Sequence, residues 1–111
     1  MAEVDIFNIE KANEESQKDF NKIRDREKDD LQAILKIPGG RRFVLRVLGL
    51  TGIFTASFSQ NSMTTSFNEG KRDIGLWLLK EIDEVDPMAF SQMQREYYSE
   101  LKSKKAKQEE S

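Results

Sequence analysis

The chain has 111 residues, which suits one small domain, and only 37% of them are hydrophobic while 34% are charged. Apolar material for a core is therefore scarce, which leaves room for a partner or a second copy to supply part of it. The absence of cysteine and histidine excludes a disulfide framework, a thiolate metal site and the commonest general base.

The net charge of −2 hides a segmental pattern. Residues 1–35 carry a net charge of −4, residues 36–82 carry +4, residues 83–98 carry −3 and residues 99–111 carry +1. A basic middle between acidic flanks fits a polyanion site, an acidic partner or screening by the chain's own flanks. No apolar run is long enough to cross a membrane, and the acidic N-terminus is unlike a signal peptide. We expect a protein that stays in a reducing cytoplasm or enters a particle assembled there.

The first third of the chain divides into an arm and a short helix. Residues 1–28 are predicted to form an acidic arm, helical or disordered, because a helix there would expose nearly its whole surface. The folded domain is predicted over residues 29–102. Leu31, Ile34 and Leu35 have the spacing of an amphipathic helix over 29–37. Pro38 should end that helix, and Gly39 with Gly40 should form a tight corner.

A second helix is predicted over residues 41–48, with Gly49 or Gly52 as its C-terminal cap. One apolar face of this helix consists of Phe43, Val44, Val47 and Leu48. Residues 50–58 are predicted to form a loop rather than a strand, since no partner strand is visible. Three side chains should hold that loop against the core: Ile53, Phe54 and Phe58.

A third helix is predicted over residues 67–82, with Thr64, Thr65 or Ser66 as its N-cap. Gly70 and Gly75 inside it lower helix propensity, so each is expected to admit a close neighbour. The expected buried stripe of this helix is Ile74, Trp77, Leu78 and Ile82, widened by Leu79.

The last helix is predicted over residues 88–102, with Asp86 as N-cap and Pro87 in the first turn. Its amphipathic face consists of Phe90, Met93, Tyr97 and Leu101, and this face packs on its own domain or pairs two copies. Residues 103–111 have no apolar stripe and are predicted to be a disordered charged tail. The fold class is therefore all-α, either a helical hairpin or a bundle of three to four helices.

A cluster of basic side chains is the strongest binding-site hypothesis. Its members are Arg41, Arg42 and Arg46 on the second helix and Lys71 and Arg72 on the third. Guanidinium groups suit both phosphates and carboxylates. The alternative is an internal ion-pair network with Glu69, Asp73 and Glu81. We assign no catalytic, cofactor-binding or metal-binding residue, because nothing in the sequence has the required pattern.

Two blocks of sequence carry a family resemblance. Residues 40–48 read Gly-Arg-Arg-Phe-Val-Leu-Arg-Val-Leu, and residues 67–79 read Phe-Asn-Glu-Gly-Lys-Arg-Asp-Ile-Gly-Leu-Trp-Leu-Leu. Together with the intervening Gly-Ile-Phe at 52–54 and the trailing Ile82, they resemble a small tailed-phage domain family. That family is named for a Bordetella phage protein, the Bbp-nineteen-like phage domain. The resemblance covers residues from about Leu31 to Ile82.

The resemblance implies a bacteriophage protein of podovirus type, encoded among packaging and head-assembly genes. We expect a non-enzymatic structural or assembly protein that works in the host cytoplasm or in the virion. Its expected partner is a portal or head-neck component, and it is a possible homo-oligomer. The alternative is a DNA-binding accessory protein of genome packaging or ejection. No small-molecule substrate and no cofactor are expected.

Overall fold

A computed structural model describes residues 6–55 and 61–110 of the chain. Four helices follow one another: α1 (Ile6–Lys36), α2 (Pro38–Leu50), α3 (Ser62–Val85) and α4 (Ala89–Glu110). The predicted all-α fold is confirmed. Residues 51–55 form turns, and the described part of the chain contains no strand, so a loop is the correct interpretation there.

Helix α1 is one continuous element that runs through the predicted boundary between arm and domain at residue 28. No glycine or proline interrupts it, and side-chain pairs along it, such as Gln17 Nε2 to Asn21 Oδ1 at 3.2 Å, support the helical spacing. Every residue from 8 to 23 is exposed, so this half of α1 projects from the domain. Residues 1–5 lie outside the described residues.

The junction between α1 and α2 is a single residue. Ile37 has extended backbone angles (φ −98°, ψ 129°), as the residue before a proline should, and Pro38 occupies the first turn of α2. Gly39 and Gly40 lie in that first turn, so the prediction that they form the corner is wrong. Gly40 has a different use, because a Cβ there would overlap the backbone of Ile34.

Helix α2 extends beyond both predicted ends, and its C-cap residue is Thr51. The predicted glycine follows directly and supplies the left-handed turn. Gly52 has a φ of +77°, and its amide donates to the carbonyl of Gly49. After this turn Ile53 packs against the core, and the ring of Phe54 stacks on that of Phe90 with centroids 6.1 Å apart. The third predicted anchor, Phe58, lies outside the described residues.

Helix α3 begins five residues earlier than predicted. Its N-cap is Asn61, whose side-chain oxygen accepts from the amides of Met63 (2.9 Å) and Thr64 (3.3 Å). The predicted caps at residues 64–66 are therefore wrong. Asparagine is at least as good a cap as serine or threonine, so the upstream residue starts the helix.

The core is a small cluster contributed by all four helices: Leu35, Val44, Leu48, Ile82, Ala89 and Met93. Leu78 and Leu79 pack against it, which confirms part of the predicted α3 stripe. Ile74 and Trp77 are more than half exposed, so their predicted burial is wrong.

The position of Gly75 explains why α3 buries a different face from the predicted one. A Cβ at residue 75 would overlap the side chains of Thr51 and Ile53, so α3 turns its glycine toward the loop and its neighbours away from it. The predicted close neighbour of Gly75 is thus confirmed. The same prediction for Gly70 is wrong, because no described atom lies within 4 Å of a Cβ built there.

Helix α4 is longer than predicted. Asp86 Oδ1 accepts from the amide of Met88 at 3.0 Å, which is the capping role predicted for it, although the helix itself begins at Ala89. Residues 103–110, predicted as a disordered tail, are helical in the structure. No glycine or proline follows Pro87, and pairs such as Lys104 Nζ to Glu100 Oε1 at 3.8 Å have helical spacing. Met93 is buried, whereas Tyr97 and Leu101 on the same face are about half exposed.

The molecule is long and thin. The Cα atoms span 84 × 40 × 16 Å with a radius of gyration of 21.5 Å, against roughly 13 Å for a compact domain of this length. Helices pack with axes about 8–10 Å apart, so a thickness of 16 Å accommodates no more than two helix layers. Much apolar surface is therefore left on the outside.

Candidate functional site

A groove of about 850 Å³ lies between α2 and α4. Its apolar lining is contributed by Leu45, Phe54, Met93, Tyr97 and Tyr98. Its charged lining consists of three arginines from α2 and two glutamates from α4, namely Arg41, Arg42, Arg46, Glu96 and Glu100. The groove thus combines aromatic side chains with a cationic wall.

Arg41 is committed to a contact inside the domain. Its Nε lies 3.0 and 3.1 Å from the two carboxylate oxygens of Glu96, and its Nη1 donates to the carbonyl of Leu35 at 2.8 Å. Only 11% of the Arg41 side chain is exposed. The hydrogen bond from Arg41 holds the pKa of Glu96 below its ordinary value, with burial opposing it and Gln92 assisting. This pair joins the wall of α2 to that of α4.

Arg42 and Arg46 are exposed and free to contact another molecule. Neither forms a salt bridge within the described residues, although the Arg46 guanidinium lies over the Phe43 ring, 5.4 Å from its centroid. The charge of Arg42 also helps to lower the pKa of Glu96, but within the described residues no carboxylate lies within salt-bridge distance of either side chain. They are the part of the predicted cluster that remains available.

The structure separates the five predicted site residues. The three arginines line one groove, whereas Lys71 and Arg72 lie on α3 and do not line it. The Lys71 Nζ lies 5.1 Å from the centroid of the Phe67 ring. The groove therefore contains three of the five predicted residues.

The internal ion pairs differ from the predicted network. Glu81 does not pair with α2 but with Arg24 of α1, whose Nη1 lies 2.6 Å from Glu81 Oε2. Arg24 also bonds Glu84 through Nη2 at 2.7 Å. These hydrogen bonds raise the pKa of Arg24 and lower that of Glu84. Sequence reasoning missed both Glu96 and Arg24, because each is more than 50 residues from its partner and no periodicity links them.

The Arg41–Glu96 pair predicts a dependence of stability on pH. A carboxylate with a depressed folded pKa stabilises the fold above its ordinary pKa of 4.5, and that stabilisation is lost as the pH falls through the folded value. We expect Glu96→Gln to be less stable than the parent at neutral pH and the difference to shrink below about pH 4.5. Urea unfolding at a series of pH values measures this. The control is Glu100→Gln one turn further on, because the salt bridge that Glu100 forms within the described residues is the exposed contact to Lys104. A Glu96 difference that stays constant down to strong acid would contradict the assignment.

Two further observations concern other kinds of site. In the parts of the chain that the structure covers, no three acidic side chains are grouped so that they could hold a metal ion. Within the same residues, no helix combines the length and apolar character needed to cross a membrane.

Comparison with known proteins identifies the family. The sequence profile described as Bbp19-like phage protein matches residues 31–95, which is more than half of the chain. The chain therefore belongs to this family of bacteriophage proteins. The match covers the C-terminal part of α1, all of α2 and α3 and the first turns of α4. It includes the α2 wall of the groove, whereas the α4 wall from Glu96 to Glu100 lies beyond it. No curated protein and no solved structure matches the chain significantly.

Proposed function

We propose that this chain is a non-enzymatic structural or assembly protein of a bacteriophage that binds another protein of the phage particle through the groove between α2 and α4. The observation that carries this proposal is the pairing pattern of the three arginines. Arg41 is neutralised by Glu96, while Arg42 and Arg46 present unpaired charge beside an aromatic lining.

This composition suits an acidic amphipathic segment of a partner protein. Aromatic side chains and arginine are enriched at protein interfaces, where the ring supplies buried area and the guanidinium binds a carboxylate with two hydrogen bonds. Tyr97 and Tyr98 present ring edges at a T-shaped angle, with centroids 5.8 Å apart. An apolar side chain of the partner would contact these rings while its carboxylates meet Arg42 and Arg46.

The groove is less suited to DNA, the alternative ligand. Only two of the lining cations are without a salt bridge within the described residues. DNA-binding surfaces usually present many cations, and their affinity falls steeply with salt. We therefore propose a phage protein as the ligand of the groove, and the experiment below distinguishes it from DNA. The portal and head-neck proteins are the partners we propose to test, and the host cytoplasm during assembly and the virion are the locations.

The direct experiment compares two double variants in binding assays with separately purified portal and head-neck proteins. Arg42→Ala/Arg46→Ala removes two charges from the groove, and Lys71→Ala/Arg72→Ala removes two charges from α3 outside it. We expect the first to weaken binding to one of these proteins by about 10-fold or more, since the loss of even one charged hydrogen bond costs roughly 1.5–3 kcal/mol. The second should bind like the parent.

The same variants test the DNA alternative when binding to duplex DNA is titrated at low and moderate salt. A groove-dependent affinity for DNA that falls steeply with salt would replace our proposal with the alternative. Equal binding by parent and both variants to every phage protein would refute the groove as a recognition site.

A further inference from the structure

Helix α3 carries a second apolar face that is mostly exposed, although the Lys71 ammonium lies over one of its rings, that of Phe67. Met63, Phe67, Ile74 and Trp77 are 81%, 64%, 60% and 58% exposed, and Gly70 lies between them in open space. Their positions follow one another at intervals of four, three, four and three residues. That is the spacing of the seam of a coiled coil, in which each side chain packs against a second helix. We call these five residues the outer seam.

The outer seam is distinct from the face that α3 uses inside the domain. Gly75 and Ile82 are buried on the inner face, and Leu78 and Leu79 flank them. At 100° per residue, the outer seam is rotated by about a third of a turn from that face. A helix with two apolar faces is normally packed on both of them.

We infer that the outer seam pairs with the outer seam of a second copy of this chain, as an antiparallel helix pair about a two-fold axis at Gly70. The inference goes beyond the proposed function and does not depend on it.

The spacing of the outer seam favours a second copy of the chain as the partner, because the pattern is self-complementary. Gly70 is seven residues from Met63 and seven from Trp77, so reversal about it brings Met63 opposite the partner's Trp77. Phe67 then lies opposite the partner's Ile74 to within one residue. Each large aromatic ring meets a smaller side chain, and the two glycines allow the helices to approach closely where they cross. Antiparallel pairing also opposes the two helix dipoles.

The available area is sufficient for a specific pair. Phe67 and Trp77 are about 60% exposed, so each copy contributes on the order of 100 Å² or more from each ring, and two copies bury roughly 400–600 Å² from aromatic side chains alone. Met63, Ile74 and the backbone around Gly70 add to this. The total approaches the ~1,000–1,200 Å² of a small specific interface.

The exposed surface of the chain is large, and the projecting half of α1 contributes part of it. The accessible surface of the chain is 9182 Å², compared with roughly 6,300 Å² for a compact monomer of this mass.

The absence of native cysteine makes the symmetry axis directly testable. Gly70→Cys introduces the only thiol of the chain, at a position where a Cβ meets no described atom. Two such thiols face each other in the proposed pair. Gly49→Cys is the matched control, because Gly49 is also a helical glycine in open space but lies on α2. Under mild oxidation we expect most of Gly70→Cys, and little of Gly49→Cys, to run as a disulfide-linked dimer. Equal cross-linking of both, or none at residue 70, would overturn the proposal.

A third variant tests whether the two helices run antiparallel or parallel. Met63→Cys should not cross-link to itself, because the two copies of residue 63 are about 21 Å apart along an antiparallel pair. Efficient cross-linking at residue 63 would show a parallel pair and overturn the proposed geometry.

Sedimentation of chains without cysteine provides an independent measurement. The parent should dimerise with increasing concentration, and Phe67→Glu/Ile74→Glu should raise the dissociation constant by at least about 100-fold while keeping its helix content. Leu50→Glu places one charge at an exposed leucine outside the seam and should leave the dimer intact. A parent that remains monomeric throughout would refute the inference.

Discussion

Replacing Leu48 by alanine is expected to lower the free energy of unfolding by about 2–5 kcal/mol. The Leu48 side chain is fully buried, at 0% exposure, in a core of only six buried residues to which every helix contributes. Deletion of its branched end leaves a cavity that a core this small cannot close without moving a helix. This is a large share of the roughly 5–15 kcal/mol that stabilises a typical domain. Urea unfolding followed by circular dichroism measures the change.

Leu50→Ala is the matched control for that experiment. The same atoms are removed two residues further along α2, but Leu50 is 72% exposed. We expect a change within about 0.5 kcal/mol. Similar losses for the two variants would show that the core is not where the structure places it.

Gly75→Ala is the second substitution with a large expected effect. The new methyl group would overlap the Thr51 hydroxyl and the Ile53 side chain, so α3 or the turn after α2 must move. Thr51 is held in place by its own hydrogen bond to the carbonyl of Leu48, at 2.6 Å. We expect a loss of roughly 1–3 kcal/mol despite the better helix propensity of alanine.

Gly49→Ala is the control for Gly75→Ala, because the two substitutions are not expected to change the free energy of unfolding in the same direction. A methyl group at residue 49 meets no described atom, so the substitution should be neutral or stabilise the fold by up to about 1 kcal/mol. Thermal unfolding of the two variants at equal concentration measures both. A stabilised Gly75→Ala would contradict the packing of α3 on the turn after α2.

The sequence was sufficient to predict the helices, because their signals are local. The proline at residue 38, the cap at Asp86 and the glycine at residue 52 act on their immediate neighbours and were interpreted correctly as breaks. The ends of α3 and α4 were misplaced for a related reason. Several polar residues can cap the same helix, and a charged segment without glycine or proline can continue one.

The orientation of α3 could not be predicted in the same way. Residues 74–79 include five large apolar side chains, so more than one face of the helix satisfies a hydrophobic pattern. The choice is made by the close approach of Gly75 to Thr51, a contact between elements 24 residues apart. The outer seam cannot be recognised from the sequence for the same reason, since the predicted buried stripe includes two of its members, Ile74 and Trp77.

Only part of the candidate site could be predicted, because the rest depends on contacts between helices that are distant in sequence. The basic residues of α2 were recognisable from their charge, but the commitment of Arg41 to Glu96 depends on how α4 packs against α2. A count of charges therefore includes Arg41, which is paired within the domain. It also groups the groove arginines with Lys71 and Arg72 of α3, which do not line the groove.

Site-specific photo-cross-linking in cells that produce the phage tests the proposed role of the groove most directly. A benzophenone amino acid replaces Tyr98, which lines the groove, or Phe20, which is exposed on α1 and does not line it. We predict that irradiation at residue 98 gives an adduct identified by mass spectrometry as a structural protein of the same phage. The adduct should be absent for residue 20 and reduced by Arg42→Ala/Arg46→Ala. Adducts of residue 98 that contain only nucleic acid, or only this chain itself, would contradict the account.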